Sequence, residues 1–476
     1  MHGWRIIVAV WAGAFGIAGC TATLVPQEHP APRPPNVVIV FADDLGYGDL
    51  GSYGHPEIET PTLDRMASEG QRWTNFYVGA SVCSPSRAGL LTGRLHVRSG
   101  MYGTEAGTRV LFPDSTGGLP ADEITIAEAL RAQGYATGAV GKWHLGHLPQ
   151  YLPAQHGFDS WFGLPYSNDM DTTVRLENWP LSPEFHDPRS EYWNVPLMRD
   201  GEIIERPATQ ETLTRRYTEE AVAFIEAHAD QPFFLYVPHT MVHIPLFRDA
   251  PFAGRSRAGV FGDTVAEIDW SVSEILGTLD RLGLDEQTLV VFTSDNGPWT
   301  VFREHGGSAG LLRMGKGTTW EGGMRVPAIF RWPGHIQPGV IRDIGSTLDL
   351  FATITALTDG SVPGDRVMDS LDLSPALLAG EPSPRETMVY YRYDEMYAIR
   401  KGAFKAHFIT EGEYGEGGPR TVHDPPLLYN LEHDPAERFD VASAHPDVVA
   451  DLVAEAEAYR ASLELPTSQF DTRTGG

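Results

Sequence analysis

The sequence predicts an α/β fold: a mixed, mostly parallel sheet covered by helices, followed by a smaller α+β region with an antiparallel sheet. The runs Asn36–Ala42, Pro232–Val237 and Thr288–Ser294 are continuous, apolar and rich in branched residues, as in strands buried on both faces. Helical patterns with start and stop signals lie between them. Beyond about residue 375 the pattern shifts to short alternating stretches joined by turns.

The chain has 476 residues, 42% of them hydrophobic, with 11 Trp. That is enough for a large core and two domains, expected at 36–374 and 375–476. A formal net charge of −27 disfavours nucleic acid as a partner. An anionic substrate then requires a locally basic cleft. Residues 1–20 read as a processing signal: Arg5 followed by an apolar run, Ile6 to Ala18, too short to span a bilayer. Ile17-Ala18-Gly19-Cys20 resembles a bacterial lipobox, which makes Cys20 the lipidated residue of an exported, membrane-anchored protein in the cell envelope, outer-membrane or periplasmic. Residues 21–35 are proline-rich and predict an extended tether.

The first buried strand ends in Asp43-Asp44, a pair of carboxylates that is costly unless it is paired or holds a cation, at the sheet edge where open α/β folds bind ligands. Thr60-Pro61 predicts a helix running to about Gly70, with Thr60 as N-cap. Cys83-Ser84-Pro85-Ser86-Arg87 places a thiol at the mouth of a short helix, with Pro85 in its first turn. Thr125 and Glu128 form a capping box for a helix ending near Gly134, and Tyr135–Val140 is a short strand leading into Gly141-Lys142-Trp143-His144-Leu145-Gly146. Lys142 and His144, two apart in an extended segment, are expected on one side. Residues 168–210 lack periodicity and read equally as a binding loop or a surface insertion. Helices follow at Thr212–Ala227 and Gly262–Leu282, the acids of the latter read as a solvated face. The strand Pro232–Val237 leads to His239 and His243. The strand Thr288–Ser294 ends in Asp295-Asn296, so two strands each offer a pair of hard oxygen donors. In the C-terminal region, strands are expected near Thr387–Tyr393, Tyr397–Arg400 and Phe404–Ile409, then a helix Val448–Leu463.

Cys83 to Arg87 followed by Leu91-Thr92-Gly93-Arg94 resembles the signature of the type I sulfatases. The hexapeptide at 141–146 and Leu311 to Pro327 match the same family, and the likeness extends from Asn36 to about Asp440. It implies an alkaline-phosphatase-like sandwich and hydrolysis of sulfate monoesters. By that resemblance a maturation enzyme converts Cys83 to formylglycine, whose hydrate is the nucleophile. Asp43, Asp44, Asp295, Asn296 and the modified Cys83 bind the metal, calcium with magnesium as the alternative. Arg87, Lys142, His144, His243 and Lys316 supply the cationic cleft, and Ser167 touches the sulfate. His144 serves as the base of the step that releases sulfate, and His243 or Lys316 assists the leaving oxygen. His239 is left as a supporting residue, Arg325 as structural and His423 as a surface histidine. Two other readings stay open: a phosphate or phosphonate monoester hydrolase on a related fold, and an unconverted, non-catalytic binder of sulfated glycans.

Overall fold

The computed structural model describes residues 1–4, 6–13, 33–104, 108–471 and 473. Cys20 and residues 21–32 of the expected tether lie outside the described residues. The chain divides into Met1–Arg33 and a compact unit Pro34–Gly476. The described residues of the first unit contain no helix or strand. No helix among the described residues is long and apolar enough to cross a membrane.

Ten strands form the main sheet: β1 (Asn36–Ala42), β2 (Gln71–Tyr77), β3 (Ala136–Val140), β4 (Ser160–Gly163), β5 (Leu197–Arg199), β6 (Glu202–Glu205), β7 (Phe233–Pro238), β8 (Thr288–Ser294), β9 (Arg325–Arg331) and β10 (Gly339–Ser346). Their order is β10-β2-β9-β8-β1-β7-β3-β4-β5-β6. The central strands β8, β1, β7, β3 and β4 run parallel. The pleat of β1 divides the core: Val37, Ile39 and Phe41 pack on one side, Val38, Val40 and Ala42 on the other. Helices Cys83–Thr92, Ile126–Ala132 and Asp349–Leu357 cover the first face. Helices Pro61–Glu69, Leu213–Ala227 and Gly259–Arg281 cover the second. Each buried Val or Ile of β1 contributes about 1.5–3 kcal/mol, which is why this strand carries no polar residue between Asn36 and Asp43.

The second sheet is antiparallel, in the order β11 (Thr387–Arg392), β12 (Glu395–Lys401), β13 (Phe404–Thr410), β14 (Thr421–Asn430). Helix Pro446–Ala461 packs on it through Leu452 and Ala456. Where this sheet meets β2, a buried ion cluster forms. Glu321 accepts from Lys405 Nζ at 3.0 Å, Tyr77 at 2.6 Å and Tyr390 at 3.2 Å. Lys405 Nζ also lies 3.0 Å from Glu437, which pairs with His407 at 2.7 Å.

Three local expectations change. The capping box at Thr125 and Glu128 forms as read, but Thr60 does not cap its helix: its hydroxyl donates to Asp64. The first-turn amides of Thr62 and Leu63 bond instead to the Asp269 carboxylate, at 3.1 and 2.8 Å. The acids of helix Gly259–Arg281 therefore are not all solvated, and Asp263, Glu267 and Asp269 are buried. Residues 168–210 contain the hairpin β5–β6 at the sheet's edge; strands of three and four residues are too short for alternation to register.

Candidate active site

The metal-ligand candidates are side by side because β1 and β8 pair in parallel with Ala42 opposite Ser294. The next two residues of each chain, Asp43-Asp44 and Asp295-Asn296, leave the sheet together. Asp44 turns into the left-handed region, φ 60°, and its amide donates to Asp295 Oδ1 at 3.0 Å. Cys83 opens its helix on the adjoining face, with Sγ 3.7 Å from Asp43 Oδ1. Two overlapping donor groups result, Asp43 with Cys83 and Asp295, and Asp44 with Cys83 and His243, each within 4.8 Å.

Every residue of the expected cationic cleft is here and buried. Arg87 donates to Asp295 Oδ2 through Nη2 at 2.8 Å and Nε at 3.2 Å, lies 3.4 Å from Asp43, and bonds the Lys142 carbonyl at 2.9 Å. Lys142 Nζ bridges Asp43 Oδ2 at 2.5 Å and Ser167 Oγ at 3.0 Å. Lys316 Nζ bonds Asp44 Oδ2 at 2.8 Å. His243 Nε2 faces Ser167 Oγ at 3.5 Å and Asp44 Oδ2 at 3.6 Å, and its Nδ1 donates to the Ile244 carbonyl at 2.5 Å. His144 is not in an extended segment: its φ is 58°, and its Nε2 donates to the Leu111 carbonyl at 2.8 Å. A carbonyl can only accept, so Nε2 carries the proton and Nδ1, which has no partner, is bare.

Three carboxylates in one buried place repel one another. Burial and the Asp43 charge push Asp295 up to about 7 against the pull of Arg87. Burial also raises Asp44, which Lys316 only partly offsets. Burial acts on Asp43 too, but Lys142 and Arg87 outweigh it and hold that carboxyl well below its usual range. Burial, Lys142 and Arg87 lower His144, and burial and Lys316 lower His243, so both imidazoles are neutral. Asn296 donates through Nδ2 to Asp44 at 2.7 Å, yet its Oδ1 is buried without a partner. An orphaned amide oxygen beside three carboxylates is a donor set suited to a hard divalent cation. The residues fit such an ion.

His239 does not join this group. It faces Ser271 Oγ at 3.3 Å, and burial lowers it to about 4. Arg325 bonds the Thr74 carbonyl at 2.6 Å and lies over Tyr47, a structural role. His423 is half-buried and meets Thr410 at 2.8 Å. Two aromatic neighbours of the site were not read from the sequence. Trp299, three residues beyond Asn296, lies under Lys316 Nζ at 4.2 Å and 5.2 Å from the His243 ring; its closeness in sequence to the donor pair was a usable signal. Tyr414, from the β13–β14 connection, packs 5.0 Å from Trp299, and nothing local in the sequence announces it.

Comparisons with known proteins agree with this geometry. Residues 35–361 match the family described as Sulfatase, and residues 383–475 match the C-terminal region of aryl-sulfatase. The chain is 44% identical over 461 residues to arylsulfatase A of Bos taurus, an alignment covering 93% of this chain and 89% of that protein. It is 41% identical over 476 residues to N-acetylgalactosamine-6-sulfatase of Canis lupus familiaris, covering 93% and 86%. Among solved structures, the PsFucS1 sulfatase from Pseudoalteromonas sp. is similar, with a TM-score of 0.80, 28% identity, and coverage of 93% of this chain and 92% of that one. The chain belongs to the sulfatase family and is a hydrolase of sulfate monoesters of the arylsulfatase kind.

Proposed function

We propose that this chain hydrolyses sulfate monoesters through a formylglycine made from Cys83, beside a divalent cation, calcium before magnesium, held by Asp43, Asp44, Asp295, Asn296 and residue 83. The observation that carries the reading is the unpartnered Asn296 Oδ1 among three carboxylates, with Cys83 Sγ 3.7 Å from one of them. A hydrated aldehyde at position 83 supplies a nucleophilic hydroxyl and a second hydroxyl through which the sulfate group is later released, and the cation lowers the cost of negative charge there.

The protein's own residues perform the rest. Lys142, Lys316 and Ser167 bind the sulfate oxygens, the lysine charges being free for this once a cation takes over the carboxylates. Arg87, fully buried against Asp43 and Asp295, holds the anionic floor in place. His144, neutral with a bare Nδ1, accepts the proton of the release step. Of the two candidates for protonating the leaving oxygen, Lys316 holds a proton, because the Asp44 charge raises it despite burial. His243 is neutral and its Nε2 faces the Ser167 hydroxyl, so it orients the sulfate-binding serine. Export and a lipid anchor at Cys20 rest on the Ile17–Cys20 motif.

The test is mass spectrometry of the tryptic peptide containing position 83, from protein made in its native host. Conversion lowers the peptide mass by about 18 Da. A thiol at position 83 in most molecules, alongside retained sulfatase turnover, overturns the aldehyde reading.

A further inference from the structure

The cationic floor accounts for the sulfate group but not for what the sulfate is attached to. Trp299 connects the two: Lys316 and His243 contact it on the catalytic side, and Tyr414 lies 5.0 Å and Trp179 6.1 Å away on the other. Trp179 and Tyr414 are themselves 5.7 Å apart. The three rings come from three separate segments, the irregular stretch before β5, the turn after β8 and the β13–β14 connection. Exposure rises along them, from 8% at Trp299 to 42% at Trp179. The three rings pack on one another as a cluster between buried cations and solvent, its outer tryptophan still uncovered, and present an aromatic wall to the group that a sulfate held by Lys316 carries. Gly317, next to Lys316, leaves room for the Glu413–Tyr414 segment: a Cβ there would sit 2.5 Å from Glu413 Cγ and 3.2 Å from the Tyr414 ring. The charge beside the row is already paired, Arg109 to Glu413.

Resting on the sulfatase reading above, we infer that Trp179, Trp299 and Tyr414 form the leaving-group subsite, and that it takes one uncharged ring, phenolic or pyranose, close to the ester oxygen. Both ring types share the required chemistry, a flat face of π electrons or C–H bonds that packs on indole and phenol. A heavily sulfated glycan shares the C–H face but brings further negative charge to a protein that carries −27 overall.

The experiment measures kcat and KM for 4-nitrophenyl sulfate, a methyl pyranoside 6-sulfate and hexyl sulfate in the wild type and in Trp179→Ala, Trp179→Phe, Tyr414→Ala and Tyr414→Phe. The readout is the ratio of kcat/KM for a ring ester to that for hexyl sulfate, which a loss of folded protein does not alter. Each alanine variant should lower the ratio about tenfold, mainly through KM, and each phenylalanine variant should restore most of it. Whether the aryl or the pyranoside ratio falls further identifies the ring. An unchanged ratio in both alanine variants overturns the subsite, as does a wild-type kcat/KM for hexyl sulfate that equals those for both ring esters. No turnover of any ester by protein converted at position 83 overturns the sulfatase reading itself, and the subsite with it.

Discussion

Two buried ion clusters in this molecule contain the same kinds of groups and have opposite characters. At the junction of the sheets, Glu321 and Glu437 are matched by Lys405, Arg400, Arg325 and His407. Although burial penalises Glu321, Lys405, Arg400 and Arg325 outweigh it and bring its pKa down to about 2. At the end of β1 the carboxylates are three, crowded together, and Asp295 moves the other way, up to about 7. One amide oxygen there has no partner at all. The junction cluster holds more cations than carboxylates, with His407 Nδ1 left without a partner; the other sets three carboxylates against Arg87, Lys142 and Lys316 and keeps a bare amide oxygen among them. A surplus of cations keeps the junction carboxylates engaged, whereas crowded carboxylates around a bare amide oxygen make a donor set for one more cation.

The largest effect that can break this comparison is expected at Asp295. Asp295→Asn keeps an acceptor for Arg87 but removes a cation ligand, so sulfatase turnover should fall at least about 10³-fold while the cation-free protein melts no lower than the wild type. Saturating calcium, at a hundred times its Kd, should stabilise the wild type by about 2.7 kcal/mol and the variant by clearly less. Equal stabilisation of both proteins, followed by calorimetry, would show that the ion binds elsewhere. Lys405→Met tests the junction cluster: leaving Glu321 and Glu437 buried without their lysine should cost about 3–5 kcal/mol in denaturant titration, with kcat per folded molecule retained. A loss of kcat without loss of stability would erase the distinction between the clusters. The smallest effect is in acid. Because the folded-state pKa of Glu321 lies below its ordinary 4.5, its contribution to stability is present above pH 4.5 and is lost as pH falls toward about 2. Glu321→Gln should flatten that part of a stability-against-pH curve, and an unaltered slope would remove Glu321 as its source.

Much of the catalytic cluster was legible because its members sit at predictable places: Asp43, Asp44, Asp295 and Asn296 directly after apolar runs, Cys83 at a helix's first position and Arg87 one turn further on. Their roles came from the family likeness, since no spacing specifies what Lys142 or His144 does. The left-handed backbone at His144 escaped notice because a non-glycine residue with positive φ leaves little trace in sequence. The junction cluster was hardly legible at all. Glu321 and Lys405 are far apart in the chain and look like surface charges until the second sheet packs on the first. The same reason hid Asp269, whose carboxylate bonds the first-turn amides of a helix some 200 residues earlier, and Tyr414.

The register of β1 has one more consequence, for the order in which the molecule can be made. Val37 of β1 pairs with Phe234 of β7 and Leu289 of β8, so the first strand to leave the ribosome lacks both neighbours until β8 has followed. Such distant pairings slow folding. A chain halted between Cys83 and Asn296 holds the cysteine but an incomplete donor set. Cation affinity would therefore separate chains that extend past β8 from those halted before it, before any substrate is offered.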